Sequence, residues 1–255
     1  MKKYLFAASL VLAWASCYAQ TTFKTTASSG LKNAVVFIER NNLVIEGTTS
    51  NEILIEIDEP IRLPETAQGL QRLSVKGLTD NTNLGLSVTQ ENGILAITEV
   101  CNCYAGTYRI KLPTTVNLTV TENSPWGGNK WIVRNVTGDL DIRSESSSVT
   151  LDRAGAGIQV LLTQGKIIAD FAELSTKPIT LASRHGIVSV TIPDNAKSTV
   201  SLKTCNGYGD IFTDFDTATF EKSEDGLSGK INGGGTPLSL VARYGNVYLR
   251  KRKGM

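Results

Sequence analysis

Apolar residues recur at every second position in short runs along most of the chain, and many runs come in pairs separated by a glycine. Ile158-Gln-Val160, Ile179-Thr-Leu181 and Val200-Ser-Leu202 are each followed by a glycine seven positions after the first residue, at Gly165, Gly186 and Gly207. The step between these glycines is 21 residues both times. Past the glycine the alternation resumes, as Ile167 and Ala169 or Val188 and Val190. The same template fits Leu238-Ser-Leu240 with Gly245, Leu86-Ser-Val88 with Gly93, and Leu140-Asp-Ile142 with Ser147 in the glycine place. Period two sends alternate side chains to one face of a strand, so each unit reads as strand, tight turn, strand.

Units of fixed length predict a fold in which rungs stack and their inward faces merge into one core. The expected class is all-β, a single-stranded parallel β-helix or solenoid with rungs of about 21 residues. An antiparallel sandwich also has short alternating strands, but it does not require an apolar pair and a glycine at a fixed offset. Glycine at the corner tolerates positive φ and lets neighbouring rungs approach closely. Ala34 and Val36, then Leu43 and Ile45, fit the template if Asn41 takes the glycine place, and this first rung is expected to cap the stack. From Gly207 to Gly245 the spacing is longer, so residues near 217–236, with Glu224-Asp-Gly226 and Gly233-Gly-Gly235, should form a hairpin or loop outside the stack. The stretch around Glu65 to Leu73 is the only helix candidate, and it is short.

The domain reading is a signal peptide over 1–19, an N-terminal segment over 20–33, the solenoid over 34–250 and a basic tail over 251–255. Lys2 and Lys3 form a basic start, Tyr4 to Ala15 an apolar stretch, and Cys17-Tyr-Ala19 a small-x-Ala cleavage site before Gln20. This predicts export, to the periplasm, the outer-membrane surface or the medium. Lipidation at Cys17 is the rival, disfavoured by Trp14 where such signals carry leucine. No later stretch reaches the ~20 apolar residues of a transmembrane helix. The formal charge of +2 becomes 0 without Lys2 and Lys3, which gives no reason to expect nucleic acid. Arg250-Lys-Arg-Lys253 reads as a solvated terminus.

Three cysteines remain outside the signal: Cys101, Cys103 and Cys205. In an oxidising compartment a disulfide from Cys101 or Cys103 to Cys205 is expected, leaving one thiol over. His185 lies on a corner that simple rung order sets beside Cys205, but Cys-x-Cys with distant partners lacks zinc-site spacing, so neither a metal nor a cofactor is expected. Asp210, Asp214 and Asp216 form the one acidic cluster worth testing for glycan cleavage, and no second rung offers a matching carboxylate. For binding, Trp126 and Trp131 bracket a glycine turn, and Tyr208 and Tyr244 flank corner glycines. The two tryptophans are candidates either for stacking on a ligand or for covering an end of the core. Arg184 and Arg243 occupy equivalent places in their rungs, with Cys205 between them, and suggest an outward basic-aromatic row.

Asn41-Asn-Leu-Val-Ile-Glu-Gly47, Tyr108-Arg-Ile-Lys-Leu-Pro113, Gly186-Ile-Val-Ser-Val190 and the closing run from Gly233 to Leu249 resemble the bacterial "putative adhesin" family of secreted β-solenoids, over about residues 30–250. The resemblance implies a fold and an exported location; it carries no catalytic set. The expectation is a cell-envelope protein with a non-enzymatic binding or structural role, its partner a cell-surface glycan or an envelope protein. The alternatives are a polysaccharide-acting enzyme and an envelope sensor or scaffold working through a protein partner.

Overall fold

The computed structural model describes residues 21–252 apart from 62–63, 68–69, 71–72, 75–76, 101–104, 126–127 and 206–207. The signal-peptide residues and Lys253 lie outside these. The described chain is all-β, with one 3-10 turn at Glu65–Ala67 where a short helix was a candidate. Two large, open, mostly parallel sheets face each other across a shared core.

The strands are β1 (Thr22–Thr26), β2 (Asn33–Phe37), β3 (Asn42–Thr48), β4 (Glu52–Ile57), β5 (Leu86–Glu91), β6 (Ile94–Glu99), β7 (Thr107–Pro113), β8 (Asn117–Thr121) and β9 (Lys130–Arg134). They continue as β10 (Leu140–Ser144), β11 (Ser148–Asp152), β12 (Ile158–Gln164), β13 (Ile167–Asp170), β14 (Ile179–His185) and β15 (Val188–Pro193). The last are β16 (Ser198–Thr204), β17 (Ile211–Thr213), β18 (Glu221–Ser223), β19 (Gly226–Ile231), β20 (Thr236–Ala242) and β21 (Val247–Arg252).

From β8 to β15 the chain alternates between the sheets, and each strand pairs in parallel with the next but one. Leu118, Leu140, Ile158 and Ile179 align across one sheet. Trp131, Val149, Ile167 and Val188 align across the other. All eight are buried, so the two rows face each other in the core. The burial of alternate apolar side chains along β8 to β15 is what holds the sheets together there.

The order at both ends departs from chain order. Strand β20 lies between β14 and β16, and β21 between β15 and β17. The Val200 unit therefore does not stack on the Ile179 unit, as the 21-residue step suggested; the last strand pair of the chain is threaded between them. Turn lengths match this order. Ser183 to Gly186 and Ala242 to Gly245 are equal in length, so these corners nest, whereas Thr204 to Gly209 is two residues longer, and β16 takes β20 on one side and the antiparallel β19 on the other. The corner glycine of that unit is accordingly Gly209, and Gly207 lies outside the described residues.

The N-terminal end shows the same interleaving. Strands β2 and β3 are flanked by β6 and β8 and by β7 and β9, so this unit is interior and does not cap anything. The Leu86 unit is not a rung either: β5 and β6 form an antiparallel hairpin that turns at Asn92 and Gly93, both at positive φ. Antiparallel pairing is confined to the ends, where β1 joins β4, β4 joins β7, and the β18–β19 hairpin lies along β16. The basic cluster near the C-terminus is partly ordered structure. Lys251 and Arg252 belong to β21 and pair with Asp194 at 3.1 Å and Asp170 at 2.5 Å.

Candidate ligand-binding corner

Where β14 and β20 leave their sheet, parallel registry brings together residues far apart in sequence. The pairing Ser183 to Ala242, continued one residue, sets Arg184 beside Arg243; the pairing Ala242 to Thr204 sets Arg243 beside Cys205. The amide of Tyr244 donates to the Arg184 carbonyl at 2.9 Å, and that of Cys205 to the Arg243 carbonyl at 3.0 Å. The two arginines of the sequence row are thus direct neighbours, with Arg243 in the middle place that sequence order assigned to Cys205. Both are exposed, and neither forms an ion pair among the described residues.

A row of rings follows. His185 stacks on Tyr244 with centroids 4.8 Å apart and planes 16° from parallel, and Tyr208 meets Tyr244 edge-on at 5.2 Å. Tyr208 is 67% exposed because it sits in the longer turn, whose amide at 208 donates to the Cys205 carbonyl. His185, which the sequence placed on a corner without a binding role, is thereby part of the row.

Backbone contact explains why glycine follows both rings. A Cβ at Gly186 would fall inside the radius of the Gly165 carbonyl oxygen, one at Gly245 on the Gly186 carbonyl, and one at Gly209 on the Gly245 carbonyl. Close approach is the requirement at Gly186 and Gly245; positive φ is adopted only at Gly165 in this ladder. Towards the N-terminus the corner uses a different device. Glu122 is buried and accepts from the hydroxyls of Ser144 and Ser147 and from Asn129 Nδ2 at 3.1 Å. Glu99 accepts from the Glu39 amide and from Asn41 Nδ2, each at 2.7 Å, and burial pushes its carboxyl above the usual carboxylate range. Asn41 fills the corner by this bonding and by accepting from the Gly106 amide, without left-handed geometry. Both carboxylates continue the inward parity of their strands, after Leu95 and Ile97 and after Leu118 and Val120. That parity was the sequence signal for them.

The other candidates are placed elsewhere. Trp131 is 1% exposed in the middle of its sheet, its indole N–H donating to the Asn41 carbonyl at 3.2 Å. It neither faces a ligand nor covers an end, because it shares inward parity with Val133. Trp126 lies outside the described residues. Cys205 is a free thiol. Cys101 and Cys103, the expected disulfide partners of Cys205, lie outside the described residues. Tyr244, and not Cys205, is the neighbour of His185, and no metal-type cluster occurs among the described residues. Of the aspartates, Asp214 accepts from the Lys251 amide of β21 at 2.8 Å and Asp216 from the Ala218 amide of its own turn at 2.9 Å, so both carboxylates bond to backbone.

One further exposed group was not visible in sequence. On the outer face of the other sheet Phe212 stacks on Tyr248 at 4.9 Å, and Arg250 lies over the Tyr248 ring at 4.7 Å. Its assembly depends on β17 pairing with β21, which chain order does not reveal.

No family model and no curated protein matches the chain. Solved structures similar to it include a putative cell adhesion protein from Clostridium sporogenes, 12% identical, with a TM-score of 0.49, covering 91% of this chain and 99% of that one. A putative adhesin from Bacteroides fragilis is 11% identical, with a TM-score of 0.41 and coverage of 91% and 96%. A putative adhesin from Parabacteroides merdae is 13% identical, with a TM-score of 0.34 and the same coverage. At this level of likeness no function passes from those proteins to this chain. No helix among the described residues is long and apolar enough to cross a membrane.

Proposed function

We propose that the chain is an exported β-solenoid of the cell envelope whose side surface binds an envelope or host component, an adhesin-like role without catalysis. The observation that carries this reading is the exposed corner on which Arg184 and Arg243 stand on adjacent strands beside the His185–Tyr244–Tyr208 rings. Exposed guanidinium and aromatic groups held on rigid strands are suited to recognition, because little conformational freedom remains to be lost on binding. The interleaved ends stiffen such a scaffold, since β2–β3 and β20–β21 each have neighbours on both sides. Export follows from the n-region, apolar stretch and cleavage pattern of residues 1–19.

Purified mature chain passed over immobilised envelope and host polysaccharides is expected to be retained by at least one of them without releasing fragments. Asp210→Asn should leave that retention unchanged. Release of reducing ends that disappears in Asp210→Asn would establish the enzyme instead.

A further inference from the structure

We propose that this corner binds an acidic polysaccharide lying along the direction in which the strands stack, with Arg184 and Arg243 each engaging the anionic group of one successive sugar. The proposal rests on the binding reading above and names its ligand.

Two neighbouring strands carry equivalent triplets in register, Arg184-His185-Gly186 and Arg243-Tyr244-Gly245. Each strand spacing of about 4.8 Å therefore carries one guanidinium, one planar ring and one glycine that lets the next strand close up. A site that repeats along a straight axis matches a ligand that repeats along its own. Like charges on directly opposed strand positions oppose pairing, so two neighbouring arginines are a cost to the free protein that an anionic chain removes. The acidic residues nearest in the register do not remove it. Glu145 is two strands from Arg184, Asp225 touches Thr204 only through its carbonyl, and neither forms an ion pair with either arginine.

The rings add direction. His185 and Tyr244 cover one face of each other, and the imidazole nitrogens and the phenol hydroxyl are hydrogen-bonding groups on residues next in sequence to the arginines. Tyr208, 67% exposed at the end of the row, is the ring left open to the apolar face of a sugar. Guanidinium forks suit carboxylate and sulfate oxygens alike, so the ligand class is a glycan bearing either group. Nucleic acid fits less well: its binding scales with many phosphate contacts over a broad basic surface, and this chain carries a net charge of only +2.

Affinity electrophoresis through polygalacturonate (carboxylate), dextran sulfate (sulfate), neutral dextran and single-stranded DNA tests the proposal. Wild-type chain is expected to be retarded by one or both acidic glycans and not by dextran or DNA. Arg184→Gln and Arg243→Gln should each weaken retardation about tenfold, and their combination more, with unfolding midpoints unchanged or slightly raised because each change relieves the like-charge cost between exposed side chains. Lys24→Gln, an exposed cation on β1 at the far end, should have no effect. Arg→Lys at each position should restore part of the affinity, since charge returns without the fork. The proposal is overturned if Lys24→Gln weakens retardation as much as the arginine changes. It is also overturned if DNA is retarded with the same arginine dependence. Retention on neutral or envelope material that survives the double change overturns the anionic ligand but leaves the binding reading standing, whereas retention by nothing overturns both.

Discussion

Truncating the chain after Gly235 is expected to unfold its C-terminal half, well beyond the residues removed. Strands β20 and β21 are the only link between β14–β15 and β16–β17 in their sheets. Their inward side chains Leu238, Leu240, Val247 and Leu249 are at most 1% exposed. Burying each contributes about 1.5–3 kcal/mol, so the loss is comparable with the ~5–15 kcal/mol that stabilises a typical domain. Hydrogen exchange checks this. In the truncated chain the amides of β16 and β17 should lose protection and those of β14 and β15 should weaken, while β8 to β11 stay protected. Continued protection of β16 would mean that it packs directly on β14.

Gly186→Ala is expected to destabilise the protein by about 3 kcal/mol or more. The added methyl would meet the Gly165 carbonyl, a backbone atom, and the Ser183 hydroxyl, which itself donates to that carbonyl at 2.9 Å. No rotamer change relieves a clash between two main chains, so the strands must separate along the whole corner. Gly245→Ala should behave alike, because its methyl would meet the Gly186 carbonyl. Gly30→Ala is the control: nothing lies within 4 Å and φ is not positive, so its effect should stay within about 0.5 kcal/mol. Urea unfolding of the three variants gives the comparison. Since the glycine ladder also sets the spacing of Arg184 and Arg243, any folded Gly186→Ala protein should bind its ligand less well.

Alternation and the glycine offset carried the middle of the fold. Ile158 and Ile179 pair as the repeat implied, and Gly165 lies against Gly186. The same alternation places Trp131 inward with Val133 in the middle of its sheet, whereas its place beside a glycine turn suggested a ligand contact or the end of the core. What the pattern does not carry is strand order, because every unit offers similar inward side chains to any neighbour. Val200 and Gly207 satisfied the repeat numerically, yet the turn before Gly209 is two residues longer, and β16 lies between β20 and the antiparallel β19. Leu86 to Ile97 satisfied it as well, since strand, glycine and strand describe a hairpin equally; the distinguishing mark was Asn92-Gly93, a dipeptide suited to a tight antiparallel turn. At the corner the residue types of the Arg184–Arg243 row were readable, and their adjacency was not. Order also decides chemistry there, by setting Tyr244 on His185.

The account turns on Arg243 standing between Arg184 and Cys205, and the free thiol of Cys205 makes this directly measurable. Neighbouring parallel strands hold paired Cα atoms about 4.8 Å apart, within disulfide range, while two spacings exceed the ~7 Å limit. Under mild oxidation, with the link mapped by peptide mass spectrometry, Arg243→Cys should form an intrachain disulfide to Cys205 and Arg184→Cys should not. A link from Arg184→Cys to Cys205, with none from Arg243→Cys, would contradict the threaded order and the paired-arginine site built on it.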